Sequence, residues 1–205
     1  TVTSNLGALD GTLTMDFSAG AASGTLAGTV DYTGGDNVDV IYGGTANDTI
    51  SSGAGNDIIT SGTGVNTINT GTGVDTIYMG GGVDIIDAGA ANDIIVADAA
   101  DLLANDVVDG GDGTDQLQFA ATTYADESVF SGLKNIESIK GNAGNGVAQA
   151  LPFNSNTSFS IIDASGASDT DLTLSVGYTQ DTTVKLGATD LVNADNIING
   201  GATGA

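Results

Sequence analysis

The sequence predicts an all-β fold, a parallel β-roll (a β-solenoid) with β-rich flanks, and three observations predict it. Seven isoleucines recur at nine-residue spacing: Ile41, Ile50, Ile59, Ile68, Ile77, Ile86 and Ile95. A glycine stands six residues before each: Gly35, Gly44, Gly53, Gly62, Gly71, Gly80 and Gly89. An aspartate stands two residues before each, with one lapse to Asn66. A nine-residue period of glycine, acid and branched apolar residue marks a stacked repeat.

Taken in order, residues 1–33 read as a β-rich lead-in. Leu13, Met15 and Phe17 alternate onto one face and Val30 and Tyr32 onto another, with glycine-bearing turns between. Residues 34–118 read as the roll. It begins with seven uninterrupted nonads over 34–96: GGDNVDVIY, GGTANDTIS, SGAGNDIIT, SGTGVNTIN, TGTGVDTIY, MGGGVDIID and AGAANDIIV. Residues 97–100 (ADAA) break the period, 101–109 (DLLANDVVD) form a degenerate nonad, and 110–118 (GGDGTDQLQ) restore it with Leu117 in the apolar slot. Residues 119–205 lose the period but stay β-rich, with strands predicted at Ser158–Asp163, Leu172–Tyr178 and Thr182–Leu186. Ser131–Lys140 (SGLKNIESIK) reads equally as a strand or a short helical turn. The closing DNIINGG at 195–201 resembles another repeat beginning, so a fragment of a longer protein is expected.

Composition narrows the function. Glycine supplies 32 of the 205 residues, and cysteine and histidine are absent. The formal charge is −23, and Lys134, Lys140 and Lys185 are the only bases. Such a surface cannot neutralise phosphate, which argues against nucleic acid and anionic membrane as partners. Disorder is the usual reading of an acidic, glycine-rich chain. Here 40% of residues are hydrophobic and they are placed periodically, so cations that neutralise carboxylates are the better explanation. No apolar run is long enough to span a bilayer as a helix.

Each nonad divides into a six-residue turn and a three-residue strand. Glycine serves the turn because tight turns need positive φ. In the strand the eighth residue points inward, and the seventh and ninth point outward. Two nonads make one coil, so acids two nonads apart stack on the same edge at about the 4.8 Å strand spacing. One edge carries Asp39, Asp57, Asp75, Asp93 and Asp115; the other carries Asp48, Asn66, Asp84 and Asp106. Like charges so spaced repel unless a cation lies between them. Calcium suits the site, because it takes six to eight oxygens, carboxylate and carbonyl alike, whereas magnesium demands a tight octahedron. The candidate ligands are those nine side chains and the backbone of Gly35, Gly44, Gly53, Gly55, Gly73, Gly111 and Gly113. Asn66 lacks a charge and is expected to mark the weakest site, with the Asp39–Asp57–Asp75–Asp93 edge the strongest.

Over residues 34–118 the chain resembles the repeats-in-toxin (RTX) family, whose motif is G-G-x-G-x-D-x-apolar-x. Only Gly110–Asp115 matches the six-residue turn in full. Ser52, Ser61, Thr70, Met79 and Ala88 replace the first glycine, and Asn37, Ala46 and Ala91 the fourth. The resemblance implies several bound Ca2+ ions, type I secretion from bacteria, and a secreted, extracellular or cell-surface location where calcium is millimolar. The flanks, with Val129–Lys140 (VFSGLKNIESIK), are similar in composition to RTX-type surface-layer proteins.

No enzyme is predicted. Without histidine there is no H-E-x-x-H zinc site and no Ser-His-Asp triad, and Glu127 and Glu137 are acids that nothing marks as a catalytic pair. The expected role is structural: a surface-layer or cell-surface assembly component that self-associates through lattice or filament contacts. The alternatives are a calcium-dependent adhesin spacer and the secretion and folding domain of a type I-secreted toxin, protease or lipase. Cell-surface polysaccharide, bound through regions outside this chain, is the other partner class. The outward slots of odd-numbered nonads are largely apolar (Val40, Tyr42, Ile58, Tyr78, Ile94, Val96), and cover by the chain's own flanks is expected in preference to a neighbouring molecule.

Overall fold

The computed structural model describes residues 2–5, 13–15, 28–98, 100–119, 127–140, 161–164 and 183–186. The predicted strand at Leu172–Tyr178 and the terminal DNIINGG lie outside them. The strands are β1 (Val2–Asn5), β2 (Leu13–Met15), β3 (Val30–Thr33), β4 (Asp39–Tyr42), β5 (Thr49–Ser51), β6 (Ile58–Thr60), β7 (Thr67–Asn69) and β8 (Thr76–Tyr78). They continue as β9 (Ile85–Asp87), β10 (Ile94–Ala97), β11 (Val107–Asp109), β12 (Gln116–Phe119), β13 (Leu133–Lys134), β14 (Ser138–Lys140), β15 (Ile161–Ala164) and β16 (Thr183–Leu186).

From β1 to β14 these strands alternate between two parallel sheets, and β15 and β16 then join the sheet of β14. One holds β1-β3-β5-β7-β9-β11-β13 and the other β2-β4-β6-β8-β10-β12-β14-β15-β16, each in that order. From β1 to β14 each successive pair of strands therefore gives one strand to each sheet, which is the predicted β-roll. Ile41 stands opposite Ile59, and Ile50 opposite Ile68, eighteen residues on. Both sheets take in strands on either side of residues 34–118.

The core is one side chain deep from each sheet. Ile41, Ile59, Ile77, Ile95, Leu117 and Ile139 form one column, and Tyr32, Ile50, Ile68, Ile86 and Val108 the other; all are buried. Their neighbours in the strand face out, as in the exposed–buried–exposed pattern of β7 and β9. Isoleucine, valine and threonine suit this role, because β-branched side chains fit a pleated surface. Each buried isoleucine contributes about 1.5–3 kcal/mol, so stability accumulates coil by coil.

Where the period breaks, the coil absorbs four extra residues without losing register. Ile95 pairs with Leu117 and Ile86 with Val108, each 22 residues on. The insert is tied down by Asp98, whose Oδ1 accepts hydrogen bonds from the amides of Ala100 (2.7 Å) and Asp101 (3.2 Å). Leu102 then fills the core completely. The ambiguous segment 131–140 becomes two strands, β13 and β14. A short 3-10 helix (Glu127–Phe130) precedes it and carries Phe130 against Phe119 edge-on, ring centroids 6.1 Å apart.

On the outward face of the nine-stranded sheet Val40, Tyr42, Ile94 and Val96 are half-buried. Ile58 is 40% and Tyr78 45% exposed, and most of the flanks expected to cover this face lie outside the described residues.

Candidate metal centre

The acids predicted to stack do stack, and their side chains are buried. Asp39, Asp48, Asp57, Asp75, Asp84, Asp93, Asp106 and Asp115, with Asn66, are all nearly or wholly buried. Each turn ends on an extended residue whose side chain folds back under the strand of the preceding coil. The amide of Asp39 donates to Asp57 Oδ1 (2.8 Å), that of Asp57 to Asp75 (2.7 Å), that of Asp75 to Asp93 (2.8 Å) and that of Asp93 to Asp115 (2.7 Å). On the other edge Val30 donates to Asp48 (2.7 Å), Asp48 to Asn66 (3.0 Å), Asn66 to Asp84 (3.0 Å) and Asp84 to Asp106 (2.8 Å). Asn66 continues its ladder without a break, and its amide nitrogen gives Asp84 a second bond at 3.0 Å.

One oxygen of each acid is thereby held, and the other is left over. The Oδ2 atoms of Asp48, Asp57, Asp75, Asp84, Asp93 and Asp115 are buried and accept no hydrogen bond within the geometry of a good one. A buried, unsatisfied carboxylate oxygen is costly, and a row of them is a donor set that suits a hard divalent cation. Among the described residues no three acidic side chains converge on one point. Further oxygens must therefore come from the backbone. Close to Asp39 Oδ2, at Gly34, lies the carbonyl oxygen of Ser52; close to Asp48 Oδ2, at Gly43, lies that of Ser61.

The turn glycines allow this approach. Gly44, Gly53, Gly55, Gly73, Gly111 and Gly113 all have positive φ, from 86° at Gly111 to 155° at Gly113; Gly35 does not share it. Successive turns on an edge are bonded directly. Ala54 donates to the carbonyl of Gly35 (2.7 Å), Thr63 to that of Gly44 (2.9 Å), Thr72 to that of Gly53 (2.9 Å), and Gly55 to that of Thr72 (2.9 Å). A carbonyl has two lone pairs, so one such bond leaves it able to coordinate. Ala91, which replaces a fourth glycine, adopts the same positive φ, 96°, with the strain that a Cβ brings there.

Two groups of residues were not placed in the site from the sequence. Ser52, Ser61 and Thr70 stand in the first-glycine slot, wholly buried. The hydroxyls of Ser52 and Thr70 bond to the carbonyls of Thr70 (3.0 Å) and Ala88 (2.7 Å), beside Asp57 and Asp75 of their own nonads. Asn47, Asn56 and Asn92 form an outer series, each accepting from the amide one coil on (2.9 Å each). The signal for the first group was that this slot is uncharged in all seven uninterrupted nonads; the second recurs in the fifth slot of three of those seven.

Burial raises the acids, and it is the first cause at each. Asp75 and Asp84 are pushed up to about 6 and Asp93 to about 7 from an ordinary 3.8. Asp48, Asp57, Asp106 and Asp115 move the same way. Amide hydrogen bonds pull against burial, and neighbouring acids, Asp75 and Asp115 in the case of Asp93, add to it. Without metal, the folded roll therefore holds protons that the unfolded chain has released above pH 3.8. Its stability is fully present below that value and is lost as pH rises through 6 and 7. Cation binding has the opposite sign, because a carboxylate must be ionised to coordinate. The metal-free chain is thus expected to gain far-UV β-signal as pH falls from 8 to 5, while calcium affinity weakens over the same interval. A metal-free chain with less structure at pH 5 than at pH 8 would contradict the buried ladder.

Residues 33–68, 60–95 and 103–118 match the family model of the RTX calcium-binding nonapeptide repeat (4 copies). No curated protein matches the chain, and no solved structure does.

Proposed function

We infer, from the match of residues 33–68, 60–95 and 103–118 to the RTX calcium-binding nonapeptide repeat, that the chain binds Ca2+ between its turns and is an extracellular calcium-binding structural protein, a surface-layer or cell-surface assembly component. Repeats of this type are typical of secreted proteins, and among the described residues no helix is long and apolar enough to cross a membrane. The observation that carries the reading is the row of buried Oδ2 atoms with no hydrogen bond. The ligands would be the carboxylates of Asp39, Asp48, Asp57, Asp75, Asp84, Asp93, Asp106 and Asp115, the side-chain oxygen of Asn66, and backbone oxygens of the glycine turns. Calcium would supply the positive charge that the interior lacks. The chain's residues do the rest: they orient one oxygen of each acid, exclude water and stack the coils. A β-roll of this kind is a structural calcium-binding domain and is not catalytic by itself.

Support for an assembly role comes from the uncharged outward face of the nine-stranded sheet. From Val40 to Gln118 its outward slots hold Val, Tyr, Ile, Thr and Gln and no charge. On a chain of net charge −23, such a face is where two copies can approach without repulsion. Light scattering of the calcium-loaded chain tests this. Particle size is expected to grow with protein concentration, and Ile58→Lys, at an exposed position, is expected to abolish the growth while leaving the β-signal intact. A monodisperse monomer at every concentration would overturn the assembly role and favour an isolated spacer.

A further inference from the structure

The acid ladder does not stop where the nonapeptide repeats stop. The amide of Asp115 donates to Glu137 Oε2 at 2.8 Å, as that of Asp93 donates to Asp115 Oδ1 at 2.7 Å. The strand register agrees: β12 pairs with β14, setting Gln116 opposite Ser138 and Leu117 opposite Ile139. Glu137 therefore occupies the slot of the next ladder acid, two residues before the core residue Ile139. The preceding strands agree too, since Asp109 stands opposite Lys134 and the amide of Gly110 donates to the carbonyl of Lys134 at 3.0 Å. Asn135 thus stands opposite Gly110.

The turn between these anchors is shortened. Six residues, 110–115, lead from the first slot to the acid in one coil; three, 135–137, do so in the next. Asn135 makes the shortcut with a left-handed φ of 49°. Its carbonyl oxygen lies over Gly110 together with Asp115 Oδ2. Ser52 O and Asp39 Oδ2 make the same pairing over Gly34, and Ser61 O and Asp48 Oδ2 make it over Gly43. Asp115 is fully buried, and its Oδ2 accepts no hydrogen bond. The unsatisfied oxygen thus faces a carbonyl and the carboxylate of a non-repeat segment.

We propose that Asp115, Glu137 and the carbonyl oxygen of Asn135 form a further, terminal calcium site, built from a shortened turn that is not a nonapeptide repeat. Two carboxylates and a neutral carbonyl balance one divalent ion. The extra methylene of glutamate gives the reach that a turn three residues shorter removes. The identity of the ion rests on the calcium-binding reading above.

The test is an ion count on the full 205-residue chain by equilibrium dialysis with calcium, with Glu137→Gln beside the unaltered protein. Glutamine keeps an acceptor for the Asp115 amide and removes only the charge. One ion fewer per chain is expected, with the far-UV spectrum of the calcium-loaded protein unchanged. Binding of no calcium by the unaltered chain would sink the calcium-binding reading itself. Equal counts and affinities in the two proteins would overturn the terminal site alone. Should the variant fail to fold, anomalous difference density in crystals of the unaltered, calcium-loaded chain decides the matter. A peak between Asp115 and Glu137 is expected; filled rungs elsewhere with none there would reject the site.

Discussion

Chelating calcium from the 205-residue chain at pH 8 is expected to remove most of its far-UV β-signal, and calcium but not magnesium is expected to restore it. The argument is electrostatic. Eight aspartates are buried in two ladders, and Lys134 and Lys140, two of the chain's three bases, lie exposed beyond the last nonad. Two ionised acids at the coil spacing of about 4.8 Å repel by roughly 3–4 kcal/mol at an effective dielectric constant near 20. Several such contacts, with burial costing several kcal/mol per ion, exceed the 5–15 kcal/mol that typically holds a domain together. At pH 8 protonation gives little relief, because even the most raised group, Asp93, sits near 7. The remaining route to a folded state is a cation in the ladder. Circular dichroism during a calcium titration, with chelator reversal, reads the outcome. A full β-spectrum in chelator at pH 8 would mean that the ladders fold without cations.

Gly73→Ala should be nearly as damaging, and Gly81→Ala should be harmless. Gly73 has φ 125°, and a Cβ there would overlap the carbonyl oxygen of Gly55 in the coil before it. The backbone strain alone costs about 1–3 kcal/mol. Relieving the overlap must also open the contact between those two coils, including the bond from the Gly55 amide to Thr72 O at 2.9 Å. A loss on the order of 3 kcal/mol or more is expected, combining that strain with packing damage of comparable size. Gly81 stands in a turn of the same roll, yet a Cβ there meets nothing within 4 Å. Its replacement should be neutral or stabilise by about 0.4–1 kcal/mol through the unfolded chain. Urea midpoints of the calcium-loaded proteins separate the two. Equal midpoints would mean that the turns are not stacked as described.

How much was legible follows from where the period holds. From β4 to β10 the isoleucine in the eighth slot fixes the centre of every strand, so the alternating sheets and the acid ladders could be written down in advance. The burial of the acids was less visible, because an acid on a turn reads as solvated until the coil before it supplies an amide. Beyond the period the physics continues while the spacing changes. Glu137 and Ile139 keep the acid-to-core offset of Asp115 and Leu117, but a 22-residue coil with a three-residue turn hides it from a nine-residue count. Tyr32 likewise fills the core slot opposite Ile50. Val30 stands two residues earlier, where an acid would be, and that edge's ladder begins with a valine amide for this reason.

The ladders also have a polarity. In each rung the amide belongs to the earlier coil and the carboxylate to the later one. The two ends of the stack are therefore chemically unlike. Stripping coils from the C-terminal side leaves a bare amide, a neutral group that water satisfies readily. Stripping them from the N-terminal side leaves a carboxylate with no donor, a fresh negative charge at the open end. Shortening the roll from its front thus carries an electrostatic burden that shortening it from the back does not, and each arriving coil brings the acceptor for an amide already in place.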